Sequence, residues 1–87
     1  MIEAMADAAV LNGLPRSTAY RLASQAVLGS AKLVQDSGMH PGALKDMVCS
    51  PAGSTIEAIR ILESKGFRGA VIEAMSACDT RAREISS

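Results

Sequence analysis

Apolar residues recur every three or four positions along almost the whole chain, and glycines and prolines divide that rhythm into five segments. The spacing predicts a helix over residues 1–12, stopped by Gly13, with Pro15 pre-set for the next start. The second helix runs over residues 15–37 and ends at Gly38. His40, Pro41 and Gly42 open a short helix over residues 42–48. A fourth is expected over residues 55–65, stopping at Gly66, and a fifth over residues 67–85. No run of alternating β-branched residues is bounded by turn signals, so strands are not expected. The fold class is all-α, a helical bundle of about four to five helices.

The predicted faces say more. On the second helix Tyr20, Ala23, Val27, Ala31 and Val34 share one side, while Leu22, Ala26, Gly29 and Leu33 share the other. A helix apolar on both sides is expected to be buried on both sides. Ile56, Ile59 and Leu62 make one face of the fourth helix, and Val71, Ala74, Met75 and Cys78 are expected to point inward on the fifth. Arg81 and Arg83 fall in its last turns, where positive charge suits the helix dipole. The helical pattern is already under way at Ile2-Glu3-Ala4-Met5 with no cap before it, so the first helix reads as cut rather than begun.

Composition sharpens this picture. A single domain of 87 residues is small, and a domain of that size buries only about 60–65% of its unfolded surface. Yet 48% of the residues are hydrophobic, with one Tyr, one Phe and no Trp. Small side chains let helices approach closely, and one short chain cannot comfortably hide so much apolar surface. Nine basic and nine acidic residues cancel, so there is no electrostatic footprint for nucleic acid. A helix-turn-helix DNA binder built on the short helix and its successor is disfavoured by that neutrality and by Ala-Gly-Ser at the turn. No apolar run approaches the roughly 20 residues of a membrane span, and Met1-Ile2-Glu3 does not open a signal peptide. Cys49 and Cys78 lack a C-x-x-C spacing or a histidine companion, so no metal site is expected; two isolated thiols suit a reduced, cytoplasmic protein.

Candidate chemistry concentrates in Cys49-Ser50-Pro51-Ala52-Gly53-Ser54-Thr55-Ile56-Glu57. Pro51 ends what precedes it and biases Ser50 away from helical angles. Gly53 permits a conformation or a close approach that a side chain would block. Ser54 and Glu57 have the spacing of a capping box, which makes Ser54 the expected N-cap. Free N–H groups in the first turn, with the positive end of the dipole, attract a carboxylate or phosphate. An ordinary helix start, its donors met by water and Ser54, is the other reading of the same residues. Ser50 and Thr55 have no histidine or lysine nearby to activate them as nucleophiles, but they suit hydrogen bonding to an anion. His40, just before a proline, reads as a surface or capping residue, and Cys49 as packed under the loop rather than reactive.

Over a longer span the chain runs Pro41-x-x-Leu44-x-x-x-Val48-Cys49-Ser50-Pro51-Ala52-Gly53-Ser54-Thr55-x-x-Ala58-Ile59-x-x-Leu62-Glu63. Together with Asp7-Ala8-Ala9-Val10-x-x-Gly13-Leu14-Pro15-Arg16, Gly29-Ser30-Ala31-Lys32 and Gly66-Phe67-Arg68, this resembles the C-terminal helical domain of pyrroline-5-carboxylate reductases over nearly the whole chain. Ala52 stands where that family usually has a second glycine, which puts in question any need for a positive φ there. Ser54 stands where threonine or alanine is common.

The resemblance implies a C-terminal dimerisation domain over residues 1–87 of an NAD(P)H-dependent reductase that completes proline synthesis. It implies helices of two subunits interleaved in a homodimer, with dimers associating further. The small-molecule substrate would set its carboxylate on Gly53, Ser54 and Thr55, and Thr55, the catalytic candidate, would contact the ring nitrogen. NADPH or NADH would be held by an N-terminal dinucleotide-binding domain; the G-x-G-x-x-G fingerprint of such a domain is absent from this sequence, so no cofactor-binding residue is expected in it. Two function classes stand side by side: part of an enzyme, inactive without its cofactor domain, and a stand-alone helical oligomerisation module without catalytic activity.

Overall fold

Punctuation by glycine and proline sets the helix ends. The computed structural model describes residues 1–86. The helices are α1 (Ile2–Leu11), α2 (Arg16–Ser37), α3 (Pro41–Val48), α4 (Ser54–Ser64) and α5 (Phe67–Ser86), with no strand among the described residues. The all-α expectation is met, each boundary within a residue or two of its predicted place. Gly13, Gly38 and Gly66 all adopt positive φ, at 105°, 66° and 74°. The first of these closes a Schellman motif: the Gly13 N–H donates to Val10 and the Leu14 N–H to Ala9, both at 3.0 Å. Asn12 adds its side-chain amide to the Ala8 carbonyl at 2.8 Å. Pro15, extended at φ −60° and ψ 145°, then starts α2.

The chain divides into two units, Met1–Lys45 and the residues from Asp46 onward. In the first, α1 and α2 pack as an antiparallel pair. Their contact is made of alanines: Ala6, Ala19 and Ala23 are buried, with Ala9 and Val10 packed against them. Methyl groups at the seam bring the two backbones close, which is what the alanine-rich composition predicts. Arg16 ties the start of α2 back to Asp7 on α1 by an ion pair, and its guanidinium lies 5.7 Å from the centre of the Tyr20 ring. The hydrogen bond from Arg16 to Asp7 raises the guanidinium pKa. Both partners are exposed, so the tie adds little stability.

Two packing expectations are met only in part within the single chain. On α2 only the side carrying Ala19 and Ala23 is covered; Leu22, Leu28 and Leu33 are 50–61% exposed. α1 is one helix and covers one face. In the second unit α4 packs on α5, yet Val71 and Met75 are 43% and 70% exposed and Cys78 is exposed too. The inward-facing residues of α5 therefore face outward in the single chain, because α4 alone cannot cover them. Among the described residues, no side chain larger than alanine is fully buried. No helix among the described residues is long and apolar enough to cross a membrane.

Candidate functional site

Residues 50–57 form one continuous local structure inside the second unit. The Gly53 N–H donates to the Ser50 carbonyl at 3.0 Å, closing a four-residue turn with Pro51 at its second position. The third position is Ala52, at φ +59°. That corrects the expectation drawn from its β-carbon: the left-handed angle is required by the turn, and alanine accepts it at a steric cost. Gly53 itself has an ordinary φ of −79°. Its lack of a side chain is used for space. A β-carbon there would lie 2.4 Å from the Ser50 hydroxyl and 3.2 Å from the Ser50 carbonyl oxygen. Of the two uses foreseen for this glycine, close approach is the one realised.

The start of α4 also differs from the capping-box reading. Gly53, extended at ψ 174°, is the N-cap, and Ser54 is the first helical residue; no side-chain cap is formed. The turn decides this. The Gly53 N–H goes to Ser50, and the Gly53 carbonyl is the first acceptor of the helix, taking the Glu57 N–H at 3.4 Å. Glu57 does not reach back either. Its carboxylate accepts a two-pronged bond from Arg60, at 3.0 and 2.6 Å. That bond holds the Glu57 carboxyl below its usual pKa and raises the pKa of Arg60.

The N–H groups of Ser54, Thr55 and Ile56 consequently point out of the helix end with no side chain capping them. Gly53 is half-buried, while Ser54 and Thr55 are exposed. The three predicted site residues lie at one helix start: Gly53 with the Ser50 hydroxyl packed where a side chain would be, open donors behind it, and the Thr55 hydroxyl one residue into the helix. Ser50, which packs its hydroxyl onto Gly53, was foreseen only as a hydrogen-bonding group; the following Pro51, which predicts a turn folding back on itself, is the signal for its role. Cys49 is half-buried, as expected for a residue under the loop. Among the described residues no group of His, Cys, Asp or Glu is arranged to hold a metal ion.

An all-helical domain whose helix pairs leave large apolar faces open is of the class that joins other subunits. Comparison with known proteins agrees. Residues 1–85 match the family described as pyrroline-5-carboxylate reductase dimerisation, and the chain belongs to that family. It is 67% identical over 85 residues to the pyrroline-5-carboxylate reductase of Escherichia coli K12, covering 98% of this chain and 32% of that protein. It is 54% identical over 86 residues to pyrroline-5-carboxylate reductase 2 of Bos taurus, covering 99% and 27% respectively. Among solved structures, the Plasmodium falciparum pyrroline carboxylate reductase with NADP bound superposes with a TM-score of 0.93 at 34% identity, over 99% of this chain and 33% of that one. The Coxiella burnetii pyrroline-5-carboxylate reductase gives 0.90 at 38% identity, over 95% and 31%. The chain spans 27–33% of the length of these relatives.

Proposed function

We propose that this chain is the subunit-joining and substrate-binding part of a reductase that converts 1-pyrroline-5-carboxylate to L-proline. What most supports the reading is the uncapped start of α4 behind Gly53. A helix start whose donors lack a cap can take a carboxylate in the cap's place, and the dipole favours that charge. The substrate carboxylate would accept from the N–H groups of residues 54–56. The Thr55 hydroxyl would lie against the ring nitrogen as the C=N bond takes up a hydride and a proton to become an amine. The apolar sides of α2 and α5 would be closed by a second copy, giving a homodimer or a larger assembly.

NADPH or NADH would supply the hydride. The described residues do not fit such a cofactor: no strand among them carries a glycine-rich phosphate turn. On this reading the cofactor would be held outside these residues, in a dinucleotide-binding domain. A cytoplasmic location goes with this reading.

Steady-state kinetics of the intact reductase test the assignment. Thr55→Ala should lower kcat about tenfold, since a contact that strengthens as the imine becomes an amine acts on the transition state. Thr55→Ser should restore most of it. An unchanged kcat in Thr55→Ala would remove Thr55 from the chemistry.

A further inference from the structure

The start of α3 has a cap of a different kind. Pro41 is the first residue of the helix and has no N–H to satisfy. The three donors that follow all go to His40. Its carbonyl accepts the Ala43 N–H at 2.9 Å and the Leu44 N–H at 3.1 Å, and its ring Nδ1 accepts the Gly42 N–H at 2.9 Å. Gly42 makes room for this ring, because a β-carbon there would lie 3.0 Å from Nδ1 and 3.2 Å from Cε1. An imidazole nitrogen accepts only when it carries no proton, so the cap exists in the neutral ring with its proton on Nε2.

We propose that His40 is a protonation-sensitive cap that couples acidity to the order of α3. A proton on Nδ1 turns the acceptor into a donor facing the Gly42 N–H. It also places a positive charge at the positive end of the α3 dipole, so both effects act in the same direction. The charged groups nearest in the chain are Lys32 and Asp36 on α2, paired at 3.0 Å, and Lys45 and Asp46 on α3; α2 carries Arg16 and Arg21 further toward its start. Lysines and aspartates keep their charge between about pH 5 and 8, the range in which imidazoles change theirs. α3 runs on through Cys49 into the turn that sets Gly53, so the looseness produced by acid would lie directly before the candidate site in the chain.

Backbone and imidazole NMR of the full chain from pH 8 to pH 5 tests the proposal, with wild type, His40→Asn and His40→Ala compared. In wild type the helical 13Cα shifts of the first turn of α3, Gly42 most of all, should fall as the pH drops, with the same midpoint as the His40 ring resonance. His40→Asn keeps a side-chain acceptor and should hold those shifts flat across the range. His40→Ala should show the reduced shifts at every pH; should it fail to fold, wild type and His40→Asn decide alone. Helical shifts that stay constant while the ring titrates would overturn the proposal. So would the same pH-dependent loss in His40→Asn, since the responsible group would then lie elsewhere.

Discussion

Ala52 and Gly53 sit side by side and use their small size in opposite ways. Ala52 carries a β-carbon at φ +59°, where glycine is the usual occupant. Ala52→Gly should therefore stabilise the fold by about 0.5–1 kcal/mol, the relief of left-handed strain outweighing the added freedom of the unfolded chain. Chemical denaturation measures it, and a loss of stability would mean that the turn does not constrain that angle. Gly53 has no such conformational need but no room either. Gly53→Ala should cost about 1–2 kcal/mol as Ser50 is pushed aside. In a Ser50→Ala background the cost should shrink, because the β-carbon of residue 50 is 3.7 Å away and only the carbonyl oxygen at 3.2 Å still crowds the new methyl. A double-mutant cycle that came out additive would show that the hydroxyl is not what excludes a side chain.

At the scale of the element, α4 begins one residue earlier than its hydroxyl pattern suggests. Ser54 makes no capping bond, so Ser54→Ala should change stability by less than about 0.5 kcal/mol. A loss of about 1 kcal/mol in denaturation would restore the capping box. Glu57 offers a second test. Its folded pKa lies below the usual 4.5 because Arg60 donates to it. The stabilisation from this pair is present above the usual value and is lost as pH falls through the lowered one. It is small, since both groups are exposed. Carboxyl NMR should show the Glu57 titration moving up toward its usual value in Arg60→Ala; no movement would deny the bond. These residues also mark where the sequence was readable. Helix ends at Gly13, Gly38 and Gly66 were legible because a single residue type meets a single backbone need. The start of α4 was not, because spacing alone could not reveal that the Gly53 N–H is claimed by Ser50, or that Arg60 takes the carboxylate a capping box would use. That Gly53, Ser54 and Thr55 share one helix start was legible, while the way that start is built was not.

On the scale of the whole molecule, the open apolar faces dominate. The sequence foretold that α2 is apolar on two sides; what it could not tell is that this chain covers only one of them. Gly29 on α2 separates the alternatives by sign. A β-carbon there meets nothing within 4 Å in the single chain. If that face met water, replacing glycine in a helix interior would stabilise by up to about 1 kcal/mol. If a second copy packs on it, Gly29→Leu should weaken association, overpacking a close helix contact at a cost of about 1–3 kcal/mol. Concentration-dependent thermal unfolding distinguishes the two. The most direct measurement is sedimentation equilibrium of the chain at micromolar concentration, read alongside its helical circular dichroism. The expected result is a dimer or larger species with no folded monomer, helicity falling as the assembly dissociates on dilution. A stable 9.0 kDa monomer with full helicity would contradict it.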